Sequence, residues 1–155
     1  MRVGLISDTH GRLRTQVFDE LEGVDRILHA GDIGPYDLLV ELEAVAPVTA
    51  VYGNTDRFDV RERVEEVARL DLAGHRVVVI HGHQLGSPRP DGLRAALPDA
   101  GIIVYGHTHQ PLVDREQGAL VVNPGSAGAP RFGLHPSLAI LTLDPEPDIR
   151  LVELR

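Results

Sequence analysis

Two isolated asparagines, several aspartates and most of the eight histidines of this 155-residue chain fall into six short clusters. They are Asp8/His10, Asp32, Asn54/Asp56, His81/His83, His107/His109 and Asn123/Ser126. Together they offer carboxylates, imidazoles and amide carbonyls, and the chain has no cysteine to add a thiolate. That donor mixture suits a hard to borderline divalent cation such as Mn²⁺, Fe²⁺, Ni²⁺ or Zn²⁺. There are too many donors for one ion and about enough for two, with a carboxylate as bridge.

The clusters gain force from the elements that must carry them. Each follows a short apolar run, the mark of a buried strand. Strands are expected at 2–7, 25–30, 47–52, 67–72, 76–80, 102–105, 112–115, 119–122, 138–143 and 149–154. Apolar spacing in Leu13, Val17, Phe18 and Leu21 reads as a one-sided surface helix, and further helices are expected at about 36–45 and 91–97. The segment 57–66 reads as a charged loop with some helical turn. The first half is therefore β-α-β-α-β, which implies parallel strands with right-handed crossovers, whereas the second half is mostly hairpins. Two sheets packed face to face with helices outside accommodate both. In open α/β sheets ligands bind at the carboxyl ends of strands, so the clusters should converge at one rim.

Composition narrows the functions. The length points to one domain over 1–155, able to bury a core without disulfides. The first strand begins at Arg2 with no room for a signal peptide, and no apolar run approaches a membrane span, so a cytoplasmic protein is expected. The net charge of −8 and the absence of Trp argue against a long nucleic-acid partner. All fifteen basic residues are arginine and Asn54 and Asn123 are the only asparagines. A thermophile and a GC-rich codon bias explain that scarcity equally, and either way the two asparagines that remain invite a functional explanation.

Asp-x-His, Gly-Asp, Gly-Asn-x-Asp, His-Gly-His and Gly-His-x-His, in that order and each at a strand end, resemble the five motifs of the calcineurin-like metallophosphoesterases. The resemblance runs from Val3 to Ser126. It is closest to the small phosphodiesterase branch, which shares the Asn-Pro-Gly-Ser segment and includes a eukaryotic retromer subunit of the same fold. It implies an α/β fold, a four-layer α/β/β/α sandwich of two mixed sheets flanked by helices. It also implies two divalent metal ions, with Mn²⁺ the first choice. One would be held by Asp8, His10, Asp32 and His109, the other by Asp32, Asn54, His81 and His107, with Asp32 bridging. Two cations about 3.5–4 Å apart clamp both ends of an in-line phosphoryl displacement and acidify a bridging water. The implied reaction is hydrolysis of a small anionic phosphodiester by a metal-bridging hydroxide. The alternative is a catalytically weak interaction scaffold that keeps the fold and the metal site.

Thr55 departs from the wider superfamily, where many relatives have a histidine near the leaving oxygen. A threonine is a poor proton donor at neutral pH, and general acid catalysis contributes about 10²- to 10⁴-fold. The expectation is a preference for good leaving groups, unless His83 substitutes. His83 is otherwise a loop histidine beside the ligand His81. Asp56 is expected only to fix its loop, His29 to be packed near the site, Thr108 to be a spacer, and Asn123 and Ser126 to brace the metal loops. Arg131 is expected to be an exposed arginine, with pairing to a phosphate as its other reading; His75 and His135 are assigned no role.

Overall fold

In the computed structural model, which describes all residues except Gln117, Ala129 and Phe132, two five-stranded sheets carry the chain. The elements are β1 Arg2–Ile6, α1 Thr15–Glu20, β2 Arg26–His29, α2 Asp37–Glu43, β3 Val48–Ala50, α3 Phe58–Arg61, β4 Val67–Leu72 and β5 His75–Ile80. A 3₁₀ turn over His83–Leu85 precedes α4 Pro90–Ala96, β6 Ile102–Val104, β7 Leu112–Asp114, β8 Leu120–Asn123, β9 Ser137–Thr142 and β10 Asp148–Glu153. The first sheet has the order β10-β9-β1-β2-β3 and the second β4-β5-β6-β8-β7.

The expected parallel start is present: β1 pairs with β2 and β2 with β3, all parallel. In the second sheet β4/β5 and β7/β8 are antiparallel hairpins, and β6 lies parallel between β5 and β8. The chain then returns to the first sheet, where β9 runs antiparallel to both β1 and β10.

Alternation along the strands divides the core in three. Val3 and Leu5 of β1 face Val77 and Val79 of β5 in an apolar layer between the sheets. Ile6 turns the other way, packing with Val17 and Leu21 of the α1 region and Leu38, Leu39 and Leu42 of α2. Val78 and Ile80 of β5 pack outward against Leu93 and Leu97 of the α4 region. Three apolar layers separate four layers of structure, the expected α/β/β/α sandwich.

The differences have local causes. The first helix starts at Thr15 rather than Leu13 because Arg14 is extended, φ −73° and ψ 147°. Its guanidinium donates to the Ala127 and Gly128 carbonyls at 3.4 and 3.1 Å. β3 stops at Ala50; Val51 instead forms a parallel bridge with Glu65, and the Tyr52 amide donates to the Glu65 carbonyl.

Candidate metal centre

Strand exits bring the polar clusters together, and they do so in backbone conformations that side-chain-bearing residues avoid. Five of the six non-glycine residues with positive φ among the described residues are Asp8 (52°), His10 (46°), Asp32 (52°), His107 (73°) and His109 (62°). Each such residue costs about 1–3 kcal/mol and persists only where its surroundings over-determine it. The surroundings here are tight. A Cβ at Gly53 would collide with Asp32, and one at Gly106 with Ser7 and the Asp8 carboxylate. The glycines of the Gly-Asn and Gly-His pairs are therefore required by close approach.

The Asp8 and Asp32 carboxylates are each held by one oxygen and leave the other toward the histidines. Asp8 Oδ2 accepts from Ser7 Oγ at 2.7 Å and from the His107 amide at 3.1 Å. Its Oδ1 is buried without a hydrogen-bond partner among the described residues. The Nε2 atoms of His109, His10 and His81 stand 3.3, 3.9 and 3.9 Å from it. Asp32 Oδ1 accepts from the Thr55 amide at 2.9 Å, while Oδ2 lies 3.2 Å from His81 Nε2 and 3.8 Å from His10 Nε2.

The tautomer of His81 follows from its other nitrogen. Nδ1 is 2.7 Å from the Ala30 carbonyl, which can only accept, so Nδ1 carries the proton. In the neutral ring, Nε2 then presents a lone pair to two carboxylate oxygens, an arrangement that asks for a cation between them. Burial disfavours a charged His81, but Asp32 and Asp8 outweigh it and raise its proton affinity. Burial also opposes charge on Asp32, yet the close approach and charge of His81, with the Thr55 amide, hold its carboxyl well below the usual range. A divalent cation would take the place of that shared proton.

Among the described residues, two groups have donor atoms mutually within 4.8 Å: Asp8, His10 and His109, and Asp8, Asp32 and His81. Asp8 belongs to both, and Asp32 Oδ2 also reaches toward histidines of both. The orphaned atoms and the oxygen–nitrogen donor set fit a hard to borderline divalent ion.

Asn54 stands at the rim, exposed, with its main-chain carbonyl held by Arg61 Nη2 at 3.4 Å. His107 contributes its amide to Asp8, while its half-buried ring lies edge-on to His81 with centroids 5.2 Å apart. His83 sits 5.4 Å from His81 and 6.4 Å from His107 by ring centroids. Its Nδ1 is buried without a hydrogen-bond partner among the described residues. Burial, then the neighbouring His81, push the proton affinities of His83 and His107 down.

Behind the ligands lies a framework of hydrogen bonds. The Asp56 carboxylate accepts from the Ile33, Gly34 and Gly53 amides at 2.8, 3.1 and 2.8 Å, tying the loop after β2 to the loop after β3. His29 is fully buried; its Nδ1 accepts from the Gly31 amide at 3.1 Å, so Nε2 donates to Thr9 Oγ1 at 3.0 Å. Thr9 passes its own proton to the Ile33 carbonyl at 2.8 Å. Asn123 donates to the Gly106 carbonyl at 3.1 Å and Ser126 to the Asp8 carbonyl at 2.7 Å, the bracing expected of them. Thr108 is more than a spacer, since its hydroxyl accepts from Asn123 Nδ2 at 3.0 Å. Ser7, Thr9 and Arg61 carry no motif of their own; their only signal is adjacency to a ligand or to the Gly-Asn loop. Arg131 is exposed, close enough to His107 to lower its proton affinity slightly.

Known proteins resemble this chain in sequence and fold. Residues 1–146 match the calcineurin-like phosphoesterase superfamily domain. A probable metallophosphoesterase of Methanothermobacter thermautotrophicus is 38% identical over 154 residues, covering 94% of this chain and 88% of the relative. An archaeal phosphodiesterase structure superimposes with a TM-score of 0.82 at 25% identity, over 99% of this chain and 100% of that one. A Vps29 from Entamoeba histolytica shares the fold, with a TM-score of 0.79 at 23% identity and full coverage of both chains. The chain belongs to the calcineurin-like phosphoesterase superfamily, whose members are metal-dependent phosphoester hydrolases.

Proposed function

We propose that the chain is a phosphodiesterase that works with two divalent cations, Mn²⁺ first among them, on a small anionic diester. One observation carries the reading: Asp8 Oδ1 and His81 Nε2 are buried 3.9 Å apart, with Asp32 Oδ2 3.2 Å from the same nitrogen, and neither has a hydrogen-bond partner among the described residues. A divalent pair there would supply Lewis-acid charge to a phosphoryl oxygen and acidify water.

The chain's residues divide the remaining work. Asp8, His10, Asp32 and His109 would hold one ion; Asp32, Asn54, His81 and His107 would hold the other, with Asp32 between. Asn54, at the rim, is the most exposed of these donors. Thr55 supports Asp32 through its amide and has no acidic proton to offer the leaving oxygen. His83 is left as the ring that meets the substrate. Rates should therefore fall as leaving-group pKa rises, and more steeply in His83→Ala. A flat dependence in the wild type, unchanged in the variant, would remove both the Thr55 and the His83 assignments.

Hydrolysis of bis-p-nitrophenyl phosphate with added Mn²⁺ or Ni²⁺ tests the whole reading. Activity should depend on metal and drop by at least 10²-fold in Asp32→Asn and His109→Ala, as for loss of a major electrostatic contribution. Activity untouched by those changes, or no metal-dependent turnover, points instead to an interaction scaffold.

A further inference from the structure

On the Asp32 side of the metal centre the surface opens into a cleft of about 270 Å³ lined by Gly34, Pro35, Thr55, Arg57 and Asp59. Two of its walls belong to the ligand framework. Thr55 holds Asp32 through its amide, and Gly34 presses so closely on Gly11 and His10 that a Cβ would not fit.

The cleft is built in advance. Its two walls are the loops 33–36 and 53–59, laced from within by the three amides on Asp56. Across the top, the Asp59 carboxylate accepts from the Tyr36 amide at 3.2 Å. Arg61 fixes the outer loop from beneath, donating to the Asp56 carbonyl at 2.7 Å. Arg57 differs from Arg61: its guanidinium is exposed and makes no hydrogen bond or ion pair with the described residues. Beside it Phe58 is 74% exposed.

The wall chemistry is a proline ring, bare glycine backbone and a threonine, with one cation and one anion whose charges offset. Such a lining suits an uncharged flat group better than a second phosphate. Its volume lies just under the usual range for ligand sites, roughly 300–1,000 Å³, which fits one ring and no polymer.

We propose that this cleft is the substituent subsite: it takes a single aromatic or nucleobase-like ring of the diester, seated on Pro35 and covered by the Arg57 guanidinium. The assignment rests on the phosphodiesterase reading above and names the class of ester it acts on.

The test has an arm that needs neither metal nor turnover. The chain has no Trp, so Phe58→Trp gives a single reporter at the cleft mouth. In EDTA-treated protein, p-nitroanisole should quench it saturably, anisole should relieve the quenching, and Arg57→Ala in the same background should weaken binding about fivefold, the size of one exposed cation–ring contact. In the metal-loaded enzyme, Arg57→Ala should raise KM for bis-p-nitrophenyl phosphate about fivefold and change kcat less. Diphenyl phosphate should inhibit the parent more strongly than dimethyl phosphate. Linear, unsaturable quenching, or inhibition by the two diesters alike, overturns the subsite. Saturable ring binding without any hydrolysis overturns the phosphodiesterase reading and leaves only the cleft's ring binding standing.

Discussion

His29 shows how much a single buried side chain holds at this site. Burial pushes its pKa down to about 3 from 6.5, against the opposing pull of Asp8. The folded chain therefore keeps the ring neutral between pH 6.5 and 3, while the unfolded chain takes up a proton across that window. Stability must fall as pH falls through it, by about 1.4 kcal/mol per unit for one proton. Urea denaturation at pH 6.5, 5.5 and 4.5 should show a shallower loss in His29→Gln than in the wild type; parallel curves would contradict the neutral, doubly bonded ring. Asp56→Ala removes the acceptor of three amides. At about 1–3 kcal/mol for each unsatisfied group, we expect a loss of at least about 3 kcal/mol by chemical denaturation. The chemistry of the ligands was legible at this scale because carboxylate and imidazole clusters after apolar runs have few other reasons to exist. The supporting set was not: nothing local in Thr9 or Arg61 distinguishes a side chain that ties loops distant in sequence from one that is merely polar.

Among the elements, strand exits are where sequence and structure agree best. β1, β2, β5 and β6 were each marked by a β-branched or leucine-rich run that stops at a polar residue or glycine. Helix starts were less visible, because Arg14 is held extended by carbonyls of residues 127 and 128, a contact more than a hundred positions away. The pairing of β9 beside β1 was invisible for the same reason, since an apolar strand does not state its neighbour. Close-approach glycines offer the sharpest check on the exits. Gly53→Ala and Gly106→Ala must displace Asp32 and Asp8 respectively. Each should cost about 1–3 kcal/mol of stability and weaken Mn²⁺ binding by isothermal titration; unchanged affinity would show that the exits tolerate what the packing says they cannot.

For the molecule as a whole, the centre sits across the two sheets. Asp8, His10 and Asp32 leave the first sheet; His81, His107 and His109 leave the second. A cation pair bound there would tie the sheets together as well as serve chemistry, and a ligand that binds only the folded state stabilises it by about 2.7 kcal/mol at a hundredfold excess over Kd. For a domain of this size that is roughly 5–10 °C in Tm. Calorimetry with Mn²⁺ and then EDTA should show the shift in the wild type and its loss in Asp32→Asn. An equal shift in the variant would place the ion elsewhere.

The donors are also spread far along the chain, from Asp8 to His109, and β1 is completed on its open edge by β9. During synthesis the first aspartate must wait, its strand half-paired, until the residues of β9, Ser137–Thr142, have left the ribosome. A cation held by all these donors would then be captured only after both sheets have formed, so the metal supply that counts would be the one met when folding ends.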